Sequence, residues 1–130
     1  MSFNKVHFSS VNMKWQTPDD TYGELNKEFN FDFDPCPVNP QFDGLSVSWG
    51  RSNFVNPPYG NALGLWIKKG FEEAQKGKTV VFLIPSRTDT KWWHNYVMKA
   101  NEIRFIKGRL KFKGAKNSAP FPSAIIIFRG

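Results

Sequence analysis

Two continuous apolar runs constrain this chain more than any other feature: Thr79 to Ile84 and Ser123 to Phe128. A strand with one wet face alternates polar and apolar residues, so a run without alternation reads as a strand buried on both faces. Such strands need helices above and below them. Leu63, Trp66, Ile67, Phe71 and Ala74 recur at helical spacing, and Gly77 supplies the stop. Thr17-Pro18-Asp19-Asp20 has the form of a helix start, with Thr17 as N-cap, Pro18 at the first helical position and acids in the first turn, and that helix runs to about Phe29. Thr90 to Ala100 reads as a third helix. Phe31 to Asp34, Leu45 to Trp49, Ser52 to Val55 and Glu102 to Ile106 read as further short strands. Strands interleaved with helices predict an α/β domain with a mostly parallel sheet covered on both faces. At 130 residues the chain is expected to form one domain over 1–130 with its own core. Met1 to Lys14 is polar with scattered apolar residues and reads as a loose N-terminal segment.

In sheets of this kind ligands bind beyond the carboxyl ends of the strands. Three short motifs fall at those ends: Asp34-Pro35-Cys36, Asn56-Pro57-Pro58-Tyr59, and Pro85 to Asp89. The second is suited to a particular problem. An exocyclic amine on a nucleobase is a poor nucleophile because its lone pair is delocalised into the ring. The Asn56 side-chain oxygen and the Pro57 carbonyl can accept the two amine hydrogens, which draws the nitrogen towards tetrahedral geometry and frees the lone pair for a methyl donor. Pro57 and Pro58 stiffen the turn. Tyr59 offers a face for a stacked base, a contact worth about 1–3 kcal/mol. A base in a duplex must first be flipped out to reach such a pocket. A sulfonium donor is itself the electrophile, so no metal is expected. The alternative is a rigid proline turn with Tyr59 packed on the core; placement at the end of an apolar strand, before Gly60 and a helix, favours the active site.

Charge points to a polyanion. The formal net charge is +7. Lys107, Arg109, Lys111 and Lys113 alternate with Gly108, Leu110 and Phe112; in a strand, period two places the four cations on one face, either along a phosphate backbone or as a charged sheet edge. Arg87 and Asp89 follow a buried strand and either order the loop or touch substrate. His94 either contacts DNA or is structural, and Phe121 is a candidate wall of the base pocket opposite Tyr59. A single cysteine, Cys36, excludes an intrachain disulfide and reads as a packing residue. Two histidines and one cysteine give no metal site. No apolar run approaches the roughly 20 residues of a membrane span, and the first residues lack a signal-peptide core. A soluble, cytoplasmic protein is expected.

Several ordered segments resemble the phage-type (Dam-like) DNA adenine-N6 methyltransferases. They are Trp15-Gln16-Thr17-Pro18; Phe31 to Asp34 with Pro35-Cys36-Pro37 and Asn39; Asp43-Gly44-Leu45 with Trp49; Phe54 to Gly60; Leu83 to Thr90 with Trp93 and His94; Gly108 to Phe112; and Ala119 to Ser123. The resemblance implies a Rossmann-like methyltransferase fold, S-adenosylmethionine as donor with S-adenosylhomocysteine as product, DNA as partner, and a phage or prophage source within a bacterial cell. It places Thr17 and Pro18 beside the donor and Asp34-Pro35-Cys36 at the strand end that contacts it, with the Asp34 carboxylate on the donor's ammonium. Asp43 is then the candidate for the donor ribose, the alternative being an Asp-Gly turn. The chain departs from larger methyltransferases where Pro35 to Pro40 stands in place of a glycine-rich loop. It also leaves no segment for a separate target-recognition domain, which makes a homodimer a candidate way of gripping DNA. The same chemistry on RNA adenine or protein glutamine, or a catalytically inactive nucleic-acid-binding relative, are the alternatives.

Overall fold

The computed structural model describes residues 15–130; the segment Met1 to Lys14, expected to be loose, lies outside the described residues. Helix α1 (Asp19–Phe29) is followed by strand β1 (Ser52–Val55), helix α2 (Leu63–Gln75), strand β2 (Thr79–Pro85), the short helix α3 (Lys91–Asn95) with a 3-10 turn at Val97–Lys99, strand β3 (Glu102–Phe105) and strand β4 (Ser123–Phe128). The four strands form one sheet in the order β1-β2-β4-β3.

The architecture is α/β as expected, but the sheet is mixed and not mostly parallel. Only β1 and β2 pair in parallel; β4 pairs antiparallel with both β2 and β3. The reason lies between β3 and β4. Parallel neighbours need a long crossover, usually a helix. The residues from Ile106 to Pro122 form no helix, and Gly108 and Gly114 adopt positive φ of 74° and 82°. The chain therefore returns from the carboxyl end of β3 and inserts β4 in the reverse direction. Since β3 and β2 both oppose β4, the strands β1, β2 and β3 still point the same way. Their carboxyl ends share one edge of the sheet.

Alternation along the two apolar strands divides the core. Val80, Phe82 and Ile84 of β2 with Ala124, Ile126 and Phe128 of β4 pack beneath α2 and α3, against Trp66, Ile67 and Trp93. Val81, Leu83, Ile125 and Ile127 face the other side, where Leu25 of α1 and Phe112 and Ala119 of the long loop cover them. A loop thus does for half of one face what a helix was expected to do.

Gly70 allows α2 to lie close on β2. A Cβ there would collide with the Phe82 ring. Gly70→Ala is expected to destabilise the domain by about 1–3 kcal/mol, read as a lower denaturant midpoint; an unchanged midpoint would mean that Phe82 swings aside freely.

Other expectations need correction. Leu45 to Trp49 forms no strand. Asp43 accepts from the Leu45 N–H at 3.0 Å and the Ser46 hydroxyl at 2.8 Å, which closes a turn, and Trp49 is held by its indole N–H on the Gly44 carbonyl at 2.8 Å. The helix expected from Thr90 to Ala100 breaks at Tyr96, where φ is −125°. Of Phe31 to Asp34 only Phe33 pairs, at a parallel bridge to Asn53. Residues 107 to 113 are not a strand; one bridge, Gln16 to Lys113, ties them down. Their alternation survives nonetheless: Phe112 is buried, Leu110 is half-buried, and all four cations are exposed.

The amino-terminal edge carries a separate polar knot. Glu73, only 1% exposed, meets Lys69 at 3.3 Å, Lys76 at 3.1 Å and Lys78, and accepts from the Trp49 N–H at 3.0 Å. Nothing in the spacing of these residues marks it out.

Candidate active site

The motif ends converge on the carboxyl edge. Asn56 to Tyr59 leave β1, Pro85 to Asp89 leave β2, and Asp34 follows the Phe33 bridge beside β1. Between the first and the last of these opens a cleft of about 100 Å³, which the residues after β2 do not line. Asn56, Pro57, Pro58 and Tyr59 form one wall, and Asp34, Cys36, Pro37 and Val38 another; Trp15, Gln16, Thr17 and Phe54 complete it.

Asn56 is the most informative residue in the cleft. Its Nδ2 donates to the Trp15 carbonyl at 2.6 Å and to the Thr17 hydroxyl at 3.0 Å. Both amide hydrogens are thereby used. Its Oδ1 is buried and accepts from no group among the described residues. An unpaired buried acceptor is costly and uncommon, and at a cleft wall it marks a place where a ligand donor belongs. The Pro57 carbonyl next to it likewise receives no backbone hydrogen bond among the described residues.

These bonds correct one expectation about Thr17. The residue preceding α1 is Pro18, and no side chain caps the helix; the Thr17 hydroxyl turns instead to Asn56. Pro18 holds the entry to α1, and the Tyr22 N–H bonds its carbonyl at 3.0 Å.

Tyr59 points into the molecule. Its hydroxyl donates to the Leu83 carbonyl at 3.0 Å. Its ring meets the Phe121 ring edge-on at 5.6 Å and the Phe112 ring at 6.4 Å. Burial raises the phenol far above its ordinary value, against a smaller opposing pull from the Arg87 cation, so it stays a protonated donor. Phe121 thus stands against Tyr59 as part of an aromatic group that also includes Trp15, 5.1 Å from Phe121 and 5.3 Å from Phe112.

Elsewhere in the cleft lining, Asp34 accepts from the Cys36 N–H at 2.9 Å. It keeps contact with solvent, but enclosure in the recess pushes its carboxyl up to about 6, the Cys36 hydrogen bond opposing that rise. Asp34 therefore changes charge close to neutral pH. Burial, with the neighbouring Asp34 charge, pushes the Cys36 thiol up to about 12, which leaves it protonated and unreactive. Pro35 is buried behind them. Asp43 is not among the cleft residues; both of its carboxylate oxygens serve the turn described above.

Arg87 and Asp89 are exposed on the loop after β2. His94 is exposed too, its Nε2 2.8 Å from the Thr88 carbonyl, so it braces that loop. Lys113 pairs with Asp19 at 3.1 Å, whereas Lys107, Arg109 and Lys111 pair with no carboxylate of the described residues. Trp15, Gln16, Pro37, Val38 and Phe54 belong to the cleft although sequence patterning assigned them no site role. For Trp15 no local signal existed: it acts through its backbone carbonyl. Among the described residues no three His, Cys, Asp or Glu side chains cluster as metal ligands, and no helix is long and apolar enough to cross a membrane.

A family model described as DNA N-6-adenine-methyltransferase (Dam) matches residues 6–129. A DNA N-6-adenine-methyltransferase of Haemophilus phage HP1 (strain HP1c1) is 31% identical over 105 residues, an alignment covering 71% of this chain and 61% of that protein. The chain thus spans under two thirds of the length of this relative.

Proposed function

This chain belongs to the DNA N-6-adenine-methyltransferase (Dam) family, and from that premise we propose that it methylates the exocyclic amine of a flipped adenine in DNA, with S-adenosylmethionine as donor. The observation that carries the reading is the buried, unpartnered Oδ1 of Asn56 at the wall of a cleft. It is an acceptor in want of an N–H. Beside it, the Pro57 carbonyl is a second acceptor for the other amine hydrogen. Together they localise the nitrogen lone pair, and alignment in the closed cleft supplies much of the rest of the rate. Tyr59 and Trp15 offer the flipped base aromatic surface in the cleft, and Phe121, which does not line it, packs against both.

The donor side fits the remaining wall. Among the described residues Asp34 is the one carboxylate that lines the cleft, and Thr17 and Cys36 belong to the same lining, with Pro18 and Pro35 next to them in the chain. When bound, the sulfonium donor supplies an activated methyl group that needs no metal. Asp34 would hold the donor's ammonium as a carboxylate. A carboxyl held near 6 is charged above that value and neutral below it. Donor affinity is therefore expected to weaken as pH falls from about 7 to 5, and Asp34→Asn is expected to remove that dependence; calorimetric titration of S-adenosylmethionine across this range checks both. Affinity flat across it in the wild type would deny Asp34 the role.

The fold reading follows the site. The parallel β1–α2–β2 unit and a cleft beyond its strand ends support a Rossmann-like class, with β4 as a reversed strand.

Lys107, Arg109 and Lys111 are exposed on a segment anchored beside the cleft and suit a phosphate backbone. Replacing all three by alanine is expected to reduce the slope of log affinity for DNA against log salt by about 2–3 units. An unchanged slope would move the DNA contact elsewhere, with Arg87 and His94 the next candidates on the loop beyond β2. Action as a homodimer would give the small domain a larger grip. Offering DNA, RNA and a glutamine-containing peptide in parallel tests the acceptor: transfer to DNA is expected, and preference for either of the others would replace the reading while keeping the chemistry. Donor binding without transfer to any of them would favour a catalytically inactive relative.

A further inference from the structure

We infer that Thr17 is a positioning residue for transfer: the Trp15 carbonyl sets which way the Asn56 carboxamide faces, and the Thr17 hydroxyl pins it there, so that Oδ1 and not Nδ2 meets the acceptor amine. The inference rests on the methyltransferase reading of the cleft, but its geometry stands independently. A carboxamide has two nearly isosteric ends, and rotation by a half turn exchanges an acceptor for a donor. In this site the two orientations have opposite consequences. With Nδ2 towards the cleft, a donor would face the hydrogens of an amine, and the lone pair would not be released.

The surroundings decide the orientation. The Trp15 carbonyl, 2.6 Å from Nδ2, has no hydrogen to give, so the atom facing it must be a donor. The Thr17 hydroxyl, at 3.0 Å, takes the second amide hydrogen. A rotated amide would set Oδ1 against the Trp15 carbonyl and strand both Nδ2 hydrogens. The lock is itself anchored. The Trp15 ring is wedged edge-on between Phe112 and Phe121, and the Lys113 N–H bonds the Gln16 carbonyl at 2.9 Å. The Thr17 hydroxyl is available for this because no side chain caps α1. Pro18, next along the chain, has no N–H to compete for it.

A residue that merely contacts the donor would act on donor affinity; a residue that orients Asn56 acts on turnover. Thr17→Val keeps the shape and removes the hydroxyl, and Thr17→Ser keeps the hydroxyl. Thr17→Val is expected to lower kcat about tenfold, well beyond any accompanying change in donor Kd, with a modestly lower thermal midpoint from the lost hydrogen bond. Thr17→Ser is expected to recover most of the rate. Separately from turnover, the side-chain amide hydrogens of Asn56 in ¹⁵N-labelled protein are expected to exchange slowly with solvent, and one of them to lose protection in Thr17→Val. Wild-type kcat in Thr17→Val, a loss that arises only through weaker donor binding, or equal losses in the serine and valine variants would each overturn the inference. If the wild type transfers no methyl group, the cleft reading fails, and amide exchange alone still decides whether Thr17 holds Asn56.

Discussion

Replacing Asn56 with alanine is expected to lower methyl transfer about 10²–10³-fold, comparable to removing one preorganised polar group from a reacting centre. The expectation follows from the buried Oδ1, which has no partner among the described residues and would gain one when an amine enters the cleft. An interaction absent from the free protein and strengthened as the nitrogen turns tetrahedral lowers the barrier and not merely the binding energy. Folding should change little, because the variant removes both the unpaired acceptor and the two Nδ2 bonds, whose effects oppose each other. Donor affinity should fall far less than the rate, since the donor's ammonium is assigned to Asp34 and not to Asn56. The measurement is single-turnover transfer alongside calorimetry with S-adenosylmethionine. A rate within a few-fold of wild type would remove Asn56 from the chemistry.

Glu73→Gln is expected to have the largest effect on folding, lowering stability by about 3–5 kcal/mol, the usual consequence of taking one partner from a buried ion pair. Glutamine keeps the volume but leaves Lys69 and Lys78, themselves largely buried, without a counter-charge. Burial alone would raise the Glu73 carboxyl; hydrogen bonds from Lys78, the Trp49 N–H and Lys76, with the Lys69 charge, outweigh it and hold the group at about 2, below its ordinary 4.5. A carboxyl lowered on folding stabilises the native state fully above its unfolded value. That contribution is lost as pH falls from about 4.5 towards 2. Urea unfolding of wild type and variant at pH 7 and through the acid range checks both points. The two curves should converge as pH drops. Equal midpoints at pH 7 would show that the lysines reach water without Glu73.

The two apolar runs announced the central strands because burial on both faces leaves a mark at every position. Strand direction leaves no such mark. Ile125 to Phe128 reads the same in a parallel or an antiparallel setting, and the reversal of β4 is decided by the helix-free stretch from Ile106 to Pro122. That Asn56-Pro57-Pro58-Tyr59 lines a cleft was legible because consecutive residues at a strand end carry it. Thr17 was visible as a polar residue before a helix, but local capping rules could not show that its hydroxyl crosses to Asn56. Asp43 was ambiguous between ribose contact and turn; its hydrogen bonds from Leu45 and Ser46 show the turn. The cations from Lys107 to Lys113 are all exposed without being on a strand, while Phe112 is buried between two of them.

The central claim is that this cleft methylates adenine in DNA. Its most direct test is transfer of a labelled methyl group from S-adenosylmethionine to unmethylated DNA, followed by enzymatic digestion and nucleoside analysis. The account predicts label in N6-methyldeoxyadenosine and its near absence with the Asn56→Ala protein. Bound donor with no label in deoxyadenosine, or label in another nucleoside, would contradict it.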